Sequence, residues 1–114
     1  MKLIKAPVSK QELKDCNKER DGDPEPVKAV VDIVRKVIYA GAETHPDGEK
    51  ALMDDGSRDE DLWGVNLFPD KTGEEWINFE AMINIRPYLG NPSRYIENLS
   101  VREQVSSIIN NLIS

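Results

Sequence analysis

The sequence predicts an α+β fold, a mainly antiparallel sheet of four to five strands built from two hairpins, with about three helices packed on one face. Three observations predict it. Valine and isoleucine are dense in residues 27–42, and apolar and polar side chains alternate along residues 76–86. Apolar residues then recur at helical spacing near the end of the chain. With 114 residues, the chain suits a single domain over residues 1–114.

The first part of the chain predicts a short strand followed by a helix. Residues 3–8 suit a strand or an extended lead-in, since Pro7 favours an extended conformation at the residue before it. Ser9 and Glu12 have the spacing of a capping box, which predicts a helix over residues 10–20. A break rich in aspartate, glycine and proline ends this helix.

Residues 27–42 have two interpretations. Their apolar positions fit helical spacing, which would give one long helix. Seven of these sixteen residues are valine or isoleucine, whose branched side chains favour strands. This composition favours a hairpin of strands 27–33 and 37–42.

The second half predicts two more helices and a second hairpin. A short helix over residues 46–55 would have Thr44 or His45 as its cap and would end at Gly56. The remaining predicted elements are a strand over 62–68, a strand over 76–86, and a helix begun by a capping box at Ser100 and Glu103.

The strand over residues 76–86 has the clearest pattern. One face would carry the apolar residues Ile77, Phe79, Ala81, Ile83 and Ile85, and the other the residues Asn78, Glu80, Met82, Asn84 and Arg86. Such alternation is typical of an antiparallel strand with one buried face and one solvent-exposed face.

Charge and cysteine content restrict the possible functions. The net charge of −6 repels phosphate backbones, so nucleic acid is disfavoured as a partner. The single cysteine, Cys16, cannot form an internal disulfide, which fits the reducing cytoplasm. No apolar run is long enough for a membrane span, and no signal peptide is visible. We expect a soluble, cytoplasmic protein.

No metal or other cofactor is expected. A zinc-finger pattern cannot be written with one cysteine and one histidine, Cys16 and His45. The carboxylates of residues 54–61 do not have the spacing of a calcium-binding EF-hand loop, and a solvated acidic loop is the favoured interpretation.

Four segments resemble a small family of prokaryotic proteins known only as a domain of unknown function. They are VKAVVDI, GAETH, DGSRDEDLWGVNLFP and INFEAMINIRPYLGNPSR, the last with the Glu97 and helix that follow it. The resemblance spans about residues 27–113. It implies one compact domain and no particular activity.

One candidate site lies where the predicted strand over residues 76–86 ends. Arginine forks match carboxylates and phosphates, and amide and hydroxyl groups add donors. Such donors are gathered here on five residues: Asn84, Arg86, Asn91, Ser93 and Arg94. The sequence therefore predicts a binding module, whose partner would be a small anionic ligand, another protein or a second copy of the chain. Ordinary ion pairs and turn caps would explain the same residues without a ligand.

The alternative function is a small enzyme acting on an anionic substrate. Glu43 and His45 are two residues apart, so in an extended segment their side chains would share a face. Histidine can transfer protons near neutral pH. A helix-start residue with an ordinary hydrogen bond is the competing interpretation of His45.

Overall fold

The computed structural model describes residues 2–17 and 25–114. Within these residues, five β-strands and three α-helices alternate with short 3-10 turns. The strands are β1 (Lys2–Ile4), β2 (Val27–Asp32), β3 (Val37–Ala40), β4 (Leu62–Leu67) and β5 (Ile77–Asn78). The helices are α1 (Lys10–Asp15), α2 (His45–Asp54) and α3 (Leu99–Leu112). The predicted α+β class is confirmed.

The five strands form one sheet in the order β1-β3-β2-β4-β5, and every neighbouring pair is antiparallel. Residues 27–42 form the predicted hairpin rather than a helix, with Val31 opposite Ile38. Strand β2 is central and buried on both faces, because Val30 and Val31 point to opposite sides and are both almost inaccessible. This explains why its sequence does not alternate cleanly between apolar and polar residues.

The helices lie on both faces of the sheet, so the prediction of helices on one face is wrong. Leu13 of α1 and Ile109 of α3 join a large apolar core with Val31. Leu52 of α2 joins a smaller cluster with Val30 on the opposite face. A sheet whose central strand is apolar on both sides needs a cover on both sides, and three helices must therefore divide between them.

Side-chain caps begin all three of these helices. The Ser9 hydroxyl accepts from the backbone N–H of Glu12, and Thr44 similarly begins α2, as predicted. Helix α3 is capped by Asn98, whose side chain accepts from the Val101 N–H, so the predicted cap at Ser100 is wrong. Helix α1 ends at Asp15, so the prediction of a helix over residues 10–20 is wrong for residues 16 and 17, and residues 18–20 lie outside the described residues.

The predicted strand over residues 76–86 is wrong beyond Asn78. Strand β5 is only two residues long, and a 3-10 turn at Met82–Asn84 follows. The alternation of buried and exposed residues continues to Ala81, and the turn then changes its phase. Asn84 and Arg86, predicted to be solvent-exposed, are buried as a result.

Candidate functional site

The predicted site lies in a loop, residues 79–98, that leaves the sheet edge and returns to α3. Two isolated bridges close it, one between Glu80 and Tyr95 and one between Arg86 and Asn91. Within it, 3-10 turns at Met82–Asn84 and Pro87–Leu89 carry the chain around. We call this segment the sheet-edge loop.

Asn84 takes the place of a strand partner for β4. Its side-chain carbonyl accepts from the Gly64 N–H at 2.8 Å, and its amide donates to the Gly64 carbonyl at 2.9 Å. The same amide donates to the Arg94 carbonyl at 3.1 Å. Asn84 is fully buried, so it satisfies two backbone groups that β5 leaves open when it ends at Asn78.

Gly64 is required for this close approach. A β-carbon at Gly64 would lie 2.6 Å from the β-carbon of Ala81 and 3.0 Å from a side-chain carbon of Ile83. It would also lie 3.1 Å from the ring of His45. The sheet-edge loop and the start of α2 therefore both pack directly on the backbone of β4.

Arg86 is the centre of a buried polar cluster. Its guanidinium donates to the Leu62 carbonyl, to Glu49 at 2.6 Å and to Asp59 at 3.3 Å. It also lies 5.7 Å from the centre of the Trp63 ring. Because the Arg86 side chain is 5% exposed and its charge is already balanced, it joins the loop to α2 and β4 rather than facing solvent.

Burial raises the pKa of Glu49, and the neighbouring Asp59 carboxylate raises it further. The ion pair with Arg86 acts in the opposite direction and offsets only part of this effect. The contact with Arg86 therefore favours the ionised form of Glu49, whereas burial and Asp59 disfavour it.

The other predicted donors divide between the inside and the surface. Asn91 is buried; its amide donates to the Asn84, Ser93 and Tyr95 carbonyls, and its side-chain carbonyl accepts from the Glu97 N–H. The Ser93 hydroxyl donates to the Tyr95 carbonyl. Arg94 is exposed on the same loop.

The loop thus brings the five predicted residues together, but three of them face inward. The solvent-exposed placement of Asn84 and Arg86 is corrected, and a ligand-binding role for the set stays a prediction. What sequence reasoning missed is the outer surface of the loop. There, Met82 is 65% exposed, Ile85 40%, Tyr88 71% and Leu89 39%.

His45 and Glu43 each have contacts of their own in this arrangement. His45 is the first residue of α2 and its Nε2 lies 2.8 Å from the Val65 carbonyl, to which it donates. Glu43 is exposed, and its backbone carbonyl accepts from Lys28 Nζ at 3.0 Å. These are the contacts of a structural histidine, and the catalytic role stays a prediction.

The partly buried position of His45 has a consequence for stability. Burial lowers its pKa below the ordinary value of 6.5, although the hydrogen bond to Val65 opposes this. The unfolded chain therefore binds the proton at a higher pH than the folded chain. We expect this contribution to stability to be complete above pH 6.5 and to be lost as the pH falls through the folded pKa.

Chemical denaturation of wild type and His45→Gln across this pH range checks the expectation, since glutamine keeps a donor for Val65. Glu49 is present in both proteins, so it does not affect the comparison. Its raised pKa makes the folded protein more stable on acidification, at pH values nearer 4.5. Wild type should lose more stability than the variant on acidification. Equal slopes for the two proteins would show that His45 has the same pKa in both states.

No set of three or more histidine, cysteine, aspartate or glutamate side chains is arranged to hold a metal ion within residues 2–17 and 25–114. Over the same residues, no helix is both long and apolar enough to cross a bilayer.

Comparison with known proteins gives a family but no activity. A search of curated proteins found no match. A search of solved structures also found none. A family model described as "Protein of unknown function (DUF5674)" matches residues 2–112, which is nearly the whole chain. The resemblance noted in the sequence is thereby confirmed and reaches the first strand. The chain belongs to this family of proteins of unknown function.

Proposed function

We propose that this protein is a protein-interaction module and that its contact surface is the outer side of the sheet-edge loop. One observation supports this most directly: within residues 82–89 the polar Asn84 and Arg86 are buried while Met82 and Tyr88 are largely exposed. Burying a large apolar side chain stabilises a protein by about 1.5–3 kcal/mol. The free protein lacks this stabilisation for several side chains of the loop. Clustered exposure of this kind is typical of a contact surface.

The loop is also held in place before any partner arrives. Asn84 binds it to β4, Arg86 binds it to α2, and Asn91 connects its two halves through Asn84 and Glu97. A rigid surface loses little conformational entropy on binding, so more of the contact energy remains for affinity. The buried polar residues thus support binding without touching the partner.

The partner that we propose is a second copy of the chain. Each copy carries a net charge of −6, which opposes their approach. Between Glu80 and Arg94 the chain has a single charged residue, Arg86, and it is buried. The Asp59 carboxylate lies beside this surface, where it accepts from the Tyr88 hydroxyl and is paired with Arg86. Two copies can therefore meet at this loop with little repulsion between carboxylates, and a two-fold pair is the commonest arrangement.

Met82→Glu tests the proposal, because it places a negative charge in the centre of the contact surface. Val34→Glu is the matched control, since Val34 and Met82 are each 65% exposed and Val34 lies in the turn after β2. Sedimentation velocity from low micromolar to millimolar protein should show a wild-type dimer at the higher concentrations. Met82→Glu should remain a monomer, and Val34→Glu should behave as wild type.

Thermal unfolding should show that all three proteins are folded. A wild-type protein that stays monomeric throughout, or two variants that weaken the dimer equally, would contradict self-association through this loop.

A further inference from the structure

A cleft of about 810 Å³ lies between the first residue of α1, the segment leading into β5, and α3. Its volume falls within the roughly 300–1,000 Å³ typical of small-molecule sites. Phe79 and Tyr95 at the two ends of the sheet-edge loop line this cleft, but Met82, Ile85, Tyr88 and Leu89 of the surface proposed above for protein contact do not. The cleft is therefore distinct from that contact surface.

Two cations face this cleft without a carboxylate partner. Lys10 Nζ lies 4.5 Å from the centre of the Trp76 ring. The Arg102 guanidinium lies 5.0 Å from the centre of the Tyr95 ring and donates to its hydroxyl at 2.9 Å. In the described part of the chain neither forms an ion pair, although many other lysines and arginines do. One acidic residue, Glu74, lines the cleft.

The aromatic rings beside these cations are fixed by their own contacts. Trp76 is 4% exposed, and its Nε1 donates to the Asn110 side-chain carbonyl at 3.0 Å. Tyr95 packs edge-to-face against Phe79, with ring centres 6.5 Å apart. The rings hold the cations at the cleft wall, so the positive charge is positioned in advance of a ligand.

We propose that this cleft binds a small organic anion, a carboxylate or phosphate carried on an apolar body. The two unpaired cations would bind the acidic group, and the aromatic walls would contact the apolar part. Hydroxyl groups of Thr72 and Ser106 line the same cleft and add neutral hydrogen-bonding groups. In an acidic protein, two cations left without partners at a concave surface are best explained by an anion that arrives from solution.

The test uses phenyl phosphate as the probe and the tryptophan indole N–H resonances in ¹H–¹⁵N spectra as the readout. Binding should shift the indole N–H of Trp76, while that of Trp63, buried in the core, serves as an internal reference. Lys10→Gln and Arg102→Gln should each weaken binding by roughly tenfold or more, since a charge-assisted bond is lost. Lys71→Gln is the matched control, because Lys71 lies 4.8 Å from the Phe68 ring but outside the cleft.

Two comparison compounds separate the parts of the proposal. Inorganic phosphate should bind more weakly than phenyl phosphate, and benzyl alcohol more weakly still. Equal binding of inorganic and phenyl phosphate would overturn the apolar contact, and equal binding of benzyl alcohol would overturn the role of the cations. No shift at Trp76 with phenyl phosphate, or unchanged affinity in both folded variants, would overturn the site itself. If Arg102→Gln does not fold, the affinity of Lys10→Gln alone decides whether the cations of the cleft bind the probe.

Discussion

Replacing Arg86 by methionine is expected to lower the free energy of unfolding by roughly 3 kcal/mol, the lower end of the range for breaking a buried ion pair. Methionine keeps much of the aliphatic volume beside Trp63 but removes the guanidinium. The Leu62 carbonyl would then lose its donor. Glu49 would lose its partner, and its pKa would rise further.

Chemical denaturation of Arg86→Met at neutral pH measures this loss, with Arg94→Met as the matched control. Arg94 belongs to the same loop but its side chain is exposed, so its replacement should change stability by less than about 0.5 kcal/mol. If Arg86→Met were as stable as Arg94→Met, Arg86 would not be the buried link between the loop and α2. That result would support the original prediction that Arg86 is free to bind a ligand.

Replacing Asn84 by leucine is expected to cost about 2–4 kcal/mol. Leucine has the same number of side-chain heavy atoms and the same branching but cannot form hydrogen bonds. The loss therefore comes chiefly from two buried backbone groups of Gly64, each of which costs about 1–3 kcal/mol when it has no partner. The Arg94 carbonyl would lose a donor as well. Part of the cost would be recovered where water enters the opened sheet edge.

Asn111→Leu is the control for this substitution, because Asn111 is exposed on α3. The same denaturation experiment should find this variant close to wild type. Equal stability of Asn84→Leu and Asn111→Leu would mean that Asn84 does not complete the edge of β4.

Elements set by local sequence were predicted well. The density of branched residues in 27–42 favoured a hairpin, and the hairpin is present because that preference agrees with burial on both faces of β2. Capping by Ser9 was predicted from its spacing to Glu12, and Thr44 was one of the two caps predicted for α2. The side of the sheet that each helix covers was not predictable in this way, since it depends on which face its neighbours leave open.

The error at the candidate site has a specific physical cause. Alternation along β5 and the residues after it holds as far as Ala81, and the 3-10 turn at Met82–Asn84 then reverses it. The residues around Met82–Asn84 carry no sequence pattern that predicts this turn. The turn is instead fixed by Gly64, 20 residues away, whose backbone groups pair with the Asn84 amide and whose missing side chain leaves room for Ala81 and Ile83.

The partners of Arg86 also could not be predicted from the neighbouring sequence. Glu49 is 37 residues away and Asp59 is 27 residues away. Acidic residues are frequent in this chain, so no sequence pattern distinguished these two from the rest. The cleft formed around Lys10, Trp76 and Arg102 was missed for the same reason, because only the folded chain brings these residues together.

The buried side chain of Asn84 serves as the strand partner of β4 and turns the polar residues of the loop inward. Hydrogen exchange of the Gly64 amide in the native protein tests this role most directly. We expect slow exchange in wild type, comparable to that of amides paired within the sheet, and rapid exchange in Asn84→Leu while the rest of β4 stays protected. Rapid exchange of Gly64 in the wild-type protein would contradict it.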